Sequence, residues 1–159
     1  MTVLAPTLEA FFTDRLMAQR RSSPHTIAAY RDTFRLLLAY TLETTGTPPA
    51  KLELSDLDAP LIGAFLDHLE TDRGVAVTTR NLRLAAVHSL FRYAAVRHPE
   101  HAALIQRVLA IPAKRTDRGP ISYLTRTEID ALLAAPDRTT RLGRRDHALL
   151  ALTVQTGLR

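Results

Sequence analysis

The sequence predicts an all-α protein: an orthogonal bundle of four to five helices, followed by a linker and two further helices. Apolar residues recur at spacings of three and four along most of the 159 residues, and no stretch shows the alternation typical of a β-strand. Residues that start or stop helices separate these periodic stretches. With 46% hydrophobic and 23% charged residues, the composition is that of an ordinary globular protein.

The first two helices are predicted over 8–19 and from Pro24 to about Thr44. Thr7 is the expected N-cap of the first helix, but the Glu or Gln that completes a capping box is missing three residues later. Ser23 gives the second helix a clearer start, since it is a good N-cap residue followed by proline at the first helical position. Gly46 is expected to help end that helix.

Three more helices complete the predicted bundle. Asp58 is expected to cap a third helix over 61–73, which a glycine closes. Thr78 is expected to cap a fourth over 79–98, which a proline ends, and a short fifth helix follows over 100–110. Residues at spacings of three and four define the expected buried line of the fourth helix: Leu84, Val87, Phe91 and Ala94.

Proline, glycine and basic residues over 111–124 predict a basic linker between a helical domain at 1–110 and a second unit at 125–159. In the second unit, Thr125 has the capping-box spacing to a glutamate and starts a helix through Ala135. Asp146 is expected to cap a last helix that stops at Gly157. That helix is apolar nearly all round, which predicts burial on several sides. With few partners in 125–159, this unit is expected to be incomplete and either loosely attached or self-associating.

Positive charge is concentrated near the C-terminal end. The net charge is +5, and residues 101–159 carry ten basic and five acidic groups. Nineteen of the 21 basic residues are arginines, whose planar guanidinium suits phosphates and guanine edges. A GC-rich genome equally explains the preference for arginine, but not its clustering. The clustering favours a polyanionic partner, with nucleic acid first.

Several classes of site are disfavoured by what the sequence lacks. The absence of cysteine excludes disulfides, thiolate catalysis and Cys-ligated metals. No apolar run approaches the ~18 residues that span a bilayer, and the first residues do not resemble a signal peptide. His98 and His101 are three apart, but a proline interrupts their helix and no carboxylate pair completes a metal site. We therefore expect a cytoplasmic protein with no metal, cofactor, membrane partner or small-molecule substrate.

Three segments carry a resemblance to a known family. The segment 23–31, SPHTIAAYR, is similar to the start of the second helix of the core-binding, SAM-like domain of tyrosine recombinases of the phage-integrase and Xer type. The segment 84–93, LAAVHSLFRY, resembles the fourth helix of that domain. The segment from Arg145 to Arg159 resembles the opening of the catalytic domain. Their order and spacing span almost the whole chain, and imply a core-binding domain followed by the beginning of a catalytic domain.

The resemblance implies a catalytic ancestry for the last residue. Arg159 matches the first catalytic arginine of the family, which holds the scissile phosphate and stabilises the phosphorane; guanidinium stays ionised and gives two parallel hydrogen bonds. The family's lysine, His-x-x-Arg pair, further His or Trp, and nucleophilic tyrosine all lie C-terminal to this arginine. The sequence as given is therefore expected to bind DNA without cleaving it. The tyrosines are expected to pack rather than replace the nucleophile: Tyr30, Tyr40, Tyr93 and Tyr123.

The starts of the second and fourth helices are the expected DNA contacts, because free N–H groups and the helix dipole favour phosphate there. In the family, these two helices enter the major groove. Ala86 is expected to continue the contact face of the fourth helix without bulk, and the basic linker is expected to cross the DNA backbone. The alternatives are a solvated helix end and a solvated hinge. The predicted contacts are His25, Thr26, Thr79, Arg80, Arg83, Lys114, Arg115 and Arg118.

Three functions are compatible with these features. The first is the DNA-binding portion of a site-specific tyrosine recombinase or integrase, with double-stranded DNA as partner and possible self-association on it. The second is a stand-alone DNA-binding regulator that competes with an integrase. The third is a helical protein-interaction module whose charge is incidental.

Overall fold

A computed structural model describes residues 2–19, 22–116 and 123–157 of the chain. Over these residues the fold is all-α, as predicted, and it divides into two compact units at 1–116 and 117–159. The first unit contains α1 (Leu4–Ala10), α2 (Pro24–Thr45), α3 (Ala59–Thr71), α4 (Val77–Arg97) and α5 (Ala102–Leu109). The second unit contains α6 (Arg126–Ala134) and α7 (Arg141–Thr156).

Local signals place the ends of α2 and α3 where the sequence predicts them. The Ser23 side chain accepts a hydrogen bond from the Thr26 N–H at 3.2 Å, and Asp58 accepts one from the Leu61 N–H at 2.9 Å. Gly46 ends α2 in the left-handed conformation, with φ of 71°. A side chain with a Cβ is disfavoured there, so the predicted glycine stop is confirmed.

The first helix differs from its prediction. It begins at Leu4 rather than Leu8, with Val3 at the N-cap, and continues beyond Ala10 as a wider π-helical segment over Phe11–Gln19. Thr7 is therefore not a cap: it lies inside the helix, buried, with its hydroxyl 3.0 Å from His98 Nε2. An antiparallel bridge between Val3 and Glu53 ties the start of the helix to the segment before α3.

The fourth helix also starts earlier than predicted. Ala76 occupies the N-cap of α4 and makes no side-chain capping bond, so Thr78 lies within the first turn. The predicted buried line is confirmed, since its four residues are at most 2% exposed. They belong to one core cluster with apolar residues of the other bundle segments, and the largest fully buried side chains of this core are Phe11, Phe65 and Phe91.

In the second unit, the capping box at the start of α6 is confirmed. The Thr125 hydroxyl accepts from the Glu128 N–H, and the Glu128 carboxylate accepts from the Thr125 N–H. The last helix begins at Arg141, capped by Thr140, so Asp146 is inside it and the predicted cap is wrong. This earlier start needs a glycine, because a Cβ on Gly143 would collide with the Asp137 carbonyl.

Candidate nucleic-acid interface

A groove of about 380 Å³ lies between the start of α2 and the start of α4. It brings together four of the residues predicted from the sequence to contact DNA. The groove is lined by His25, Thr26, Ala29, Tyr30, Asp32, Thr33, Thr79, Leu82 and Arg83. These positions are far apart in sequence, and packing of α2 on α4 in the bundle makes them neighbours.

The two helix starts differ in the backbone N–H groups that they offer to an anion. In α2, Pro24 has no N–H and the Thr26 N–H is bound by Ser23, so the cap consumes part of the expected anion site. In α4, the N-cap residue Ala76 makes no side-chain bond. The first-turn N–H groups of α4 are therefore the better donors to a phosphate.

Arg83 is the basic group in the groove, and it is held there by α2. Its guanidinium donates to Asp32 Oδ2 at 2.9 Å and to the Thr33 hydroxyl at 3.3 Å, and its side chain is 17% exposed. Hydrogen bonds from Arg35 and then from Arg83 lower the pKa of Asp32, which keeps this carboxylate ionised. The groove therefore contains a positioned guanidinium whose charge is partly offset by a carboxylate.

Sequence reasoning missed two groove features. Asp32 is 51 positions from Arg83, so no local pattern indicates that they pair. Leu82 is 70% exposed although it is large and apolar. An apolar side chain at a DNA interface can contact a thymine methyl group. The position of Leu82 outside the periodic buried line of α4 was the only sequence signal of its exposure.

Arg80 is not available for DNA contact, which corrects its predicted place in the set. It is 5% exposed, and one guanidinium nitrogen donates to the Pro112 carbonyl and to Asn81 Oδ1, each at 3.2 Å. Its Nε lies 3.5 Å from Glu70 Oε2. Ala86 is also wrong as part of a contact face, because it is fully buried. The helix rotates about 100° per residue, which turns both positions from the groove into the bundle.

The chain leaving α5 is tied back to α4. Lys114 donates its backbone N–H to Asn81 Oδ1 at 3.0 Å and accepts from Asn81 Nδ2 at 2.7 Å. Its ammonium pairs with Glu70 at 2.6 Å and lies 3.9 Å from Asp67. We call Arg80, Asn81, Glu70 and Lys114 the linker latch. Lys114 is thus engaged with carboxylates, which weakens its predicted role at the DNA backbone.

The remaining predicted residues divide into those described and those not. Arg115 is exposed. Arg118 and Arg159 lie outside the described residues. Among the tyrosines, Tyr30 stacks on Phe11 with ring centroids 6.3 Å apart, Tyr40 lies 5.7 Å from Phe65 and Tyr93 is buried, so packing is confirmed for these three. Tyr123 is 80% exposed, so the packing expected of it is wrong.

The two histidines near α5 act as hydrogen-bond partners of the N-terminal segment. His98 contacts the Thr7 hydroxyl and His101 contacts the Thr2 hydroxyl, both at 3.0 Å. Glu100 lies between them, 3.4 Å from His98 Nδ1. In the described part of the chain, no group of three or more His, Asp or Glu residues is arranged to hold a metal ion. No helix among the same residues is long and apolar enough to cross a bilayer.

Over the described residues of the first unit, the chain forms an all-α bundle in which the starts of two helices meet beside one arginine. Comparison with known families assigns it: residues 9–98 match the phage integrase N-terminal SAM-like domain, and the chain belongs to that family. No solved structure gives a significant match.

Three curated relatives illustrate this membership. The chain is 62% identical over 98% of its length to "Putative integrase/recombinase y4rC" of Sinorhizobium fredii, and 44% identical over 99% to "Putative integrase/recombinase y4rD" of the same organism. It is 30% identical over 89% to "Tyrosine recombinase XerC" of Rhodospirillum centenum. The chain covers 47%, 56% and 41% of these relatives respectively, about half of their length.

Proposed function

We propose that this chain is the DNA-binding portion of a site-specific tyrosine recombinase that acts in DNA integration and recombination, and that the groove between α2 and α4 contacts duplex DNA. One observation carries the proposal: His25, Thr26, Thr79 and Arg83 line a single groove in a domain of the integrase family. The names of the relatives, which are integrases and recombinases, support the same role.

Each groove residue has a distinct chemical task in this proposal. The uncapped first turn of α4 and the Thr79 hydroxyl donate to phosphate oxygens. Arg83 either donates to a phosphate oxygen while it keeps its bond to Asp32, or reaches a guanine edge. The exposed positive charge of Arg31 and Arg35 on α2 adds attraction for the DNA backbone.

Two substitutions with opposite expected effects on duplex affinity test the groove as the DNA contact. Arg83→Ala removes the groove's guanidinium and leaves Asp32 with Arg35 as its remaining arginine partner, so duplex affinity is expected to fall about tenfold at moderate salt. Asp32→Asn removes the carboxylate and frees Arg83, so affinity is expected to rise about threefold. Arg107→Ala is the matched control, because Arg107 is exposed on α5, outside the groove.

The salt dependence of binding separates the classes of function. DNA binding predicts that log K falls linearly with log salt, with a slope of about −0.9 per neutralised phosphate, and that Arg83→Ala makes the slope shallower by about one contact. The measurement is fluorescence anisotropy of a labelled duplex with the 159-residue chain. A flat response, or no binding at low salt, favours the protein-interaction module and contradicts the proposal.

Recombinase and stand-alone regulator share the same bundle, so cleavage distinguishes them. Formation of a covalent complex with a suicide DNA substrate by a longer product of the gene favours the recombinase. In that protein we propose that Arg159 holds the scissile phosphate. We further propose that copies self-associate on DNA, that no small-molecule substrate is involved and that the protein works in the cytoplasm, where its DNA partner lies.

A further inference from the structure

A second cationic site lies at the opposite end of α4 from the groove. There the last turns of α4 meet the Phe11–Gln19 segment around a cleft of about 190 Å³. Arg83 and Arg97 are fourteen positions apart, which places the cleft about 21 Å along the helix from the groove. The cleft is lined by Arg15, Arg92, Tyr93, Val96 and Arg97.

Tyr93 points to a missing ligand in this cleft. The residue is 8% exposed, and its buried hydroxyl has no hydrogen-bond partner among the described residues. A buried phenol normally finds a partner, so an unpartnered one that lines a cleft indicates a donor waiting for an acceptor. Burial raises the pKa of Tyr93, so the hydroxyl keeps its proton at neutral pH.

The charges around this hydroxyl favour an anion. The Arg97 guanidinium lies 4.5 Å above the Tyr93 ring, and Arg15 and Arg92 line the same cleft. The carboxylate of Asp14 opposes Arg97: it lies 3.4 Å from the guanidinium, and the side chains of Asp14 and Arg97 are about half exposed, 51% and 45% respectively. An ion pair this exposed contributes little stability, so an incoming anion can displace it.

We propose that Tyr93, Arg97, Arg15 and Arg92 form a phosphate-binding site. A phosphate presents oxygens in several directions, which suits a phenol donor and guanidinium groups that approach from two elements of the fold. A carboxylate is planar and matches a single guanidinium fork. Asp14 already supplies a carboxylate to Arg97, and the Tyr93 hydroxyl is still without a partner among the described residues. The site does not depend on the function proposed for the groove.

Titration of the 159-residue chain with inorganic phosphate, followed by NMR at constant ionic strength, tests the site. We expect saturable shifts of the Tyr93 and Arg97 amide signals. Tyr93→Phe should weaken binding about fivefold, since one hydrogen bond to a charged acceptor is lost. The variant should stay folded, because the hydroxyl makes no hydrogen bond to any of the residues that the structure describes. Asp14→Asn should tighten binding about threefold, and Arg107→Gln should change nothing.

Two further titrations identify the source of the phosphate. If a DNA backbone supplies it, Arg97→Gln makes the salt slope of duplex binding shallower by about one contact while Arg83→Ala still has its own effect. If a free phosphate or nucleotide supplies it, Arg97→Gln weakens phosphate binding and leaves duplex binding unchanged. Shifts that do not saturate, or that survive Tyr93→Phe and Arg97→Gln at full size, overturn the site whatever the groove does.

Discussion

Replacing Arg80 by alanine is expected to loosen the bundle without touching the proposed DNA contacts. In the structure, the guanidinium joins α4 to the Pro112 carbonyl and to Glu70, and its side chain is only 6% exposed. Alanine removes both links and leaves the carbonyl without its donor. The loss falls on the attachment of the segment after α5, and not on the groove, from which Arg80 is absent.

The magnitude follows from what remains after the change. Removing one partner of a buried ion pair costs about 3–5 kcal/mol when the other charge is left alone. Glu70 is 19% exposed and stays paired with Lys114 at 2.6 Å. The loss of the ion pair should therefore cost no more than about 3 kcal/mol. Loss of the hydrogen bond to Pro112 adds about 1 kcal/mol. Discounting the ion pair for exposure and for its second partner, we expect about 2 kcal/mol in total.

Urea denaturation of the 159-residue chain, followed through NMR signals of Leu90 and Phe91 in α4, measures this effect. With an m value of about 2 kcal/mol/M, the midpoint should fall by about 1 M. Arg80→Met keeps most of the side-chain volume and separates lost packing from lost polar contacts. Arg107→Ala is the control, expected to stay within about 0.5 kcal/mol of the parent.

Two results would refute this reasoning. A midpoint within about 0.2 M of the parent would mean that the contacts of Arg80 contribute little. A salt slope of DNA binding reduced as much as by Arg83→Ala would mean that Arg80 leaves its buried position to contact phosphate.

Other predictions concern separate elements. Burial lowers the pKa of His88 below its ordinary value of 6.5, and its Nε2 lies 3.1 Å from the Val108 carbonyl. The neutral His88 side chain therefore contributes its full stabilisation above pH 6.5, and this contribution is lost as the pH falls through the lowered pKa. The difference between the unfolding midpoints at pH 7.5 and pH 5 should therefore be smaller in His88→Gln than in the parent protein. Thr125→Ala breaks the capping box with Glu128, so hydrogen exchange in the first turns of α6 should speed up about fivefold; unchanged rates would contradict this. Exposed apolar residues of α7 predict concentration-dependent association, which Leu149→Ser should reduce in sedimentation measurements.

Helix existence was predictable from the sequence because its signals are local. Ser23 with Pro24, Asp58 and the Thr125–Glu128 pair act within three or four residues, and the structure shows each of them as a cap. Thr78 and Asp146 are equally good capping residues by type. These two predictions are wrong because α4 and α7 extend further towards their N-terminal ends, with Ala76 and Thr140 as their N-cap residues.

The composition of the site was only partly predictable, because it depends on distant partners. The helix-start rule predicted Thr79 and Arg83 as DNA contacts, and both residues line the groove. Arg80 lies next to Thr79 in sequence and carries the same charge as Arg83. Its burial follows from Glu70 and from Pro112, which is 32 positions away, and no local pattern encodes that contact.

The linker latch also shortens the predicted linker that follows the bundle. Arg80 and Asn81 hold the chain as far as Lys114, so of the fourteen positions predicted as linker at 111–124, the first four are fixed and ten remain. Ten residues span at most about 35 Å, whereas fourteen would span about 50 Å. Breaking the latch at Arg80 and Asn81 would release residues 111–114 from α4 without changing any residue of the predicted linker.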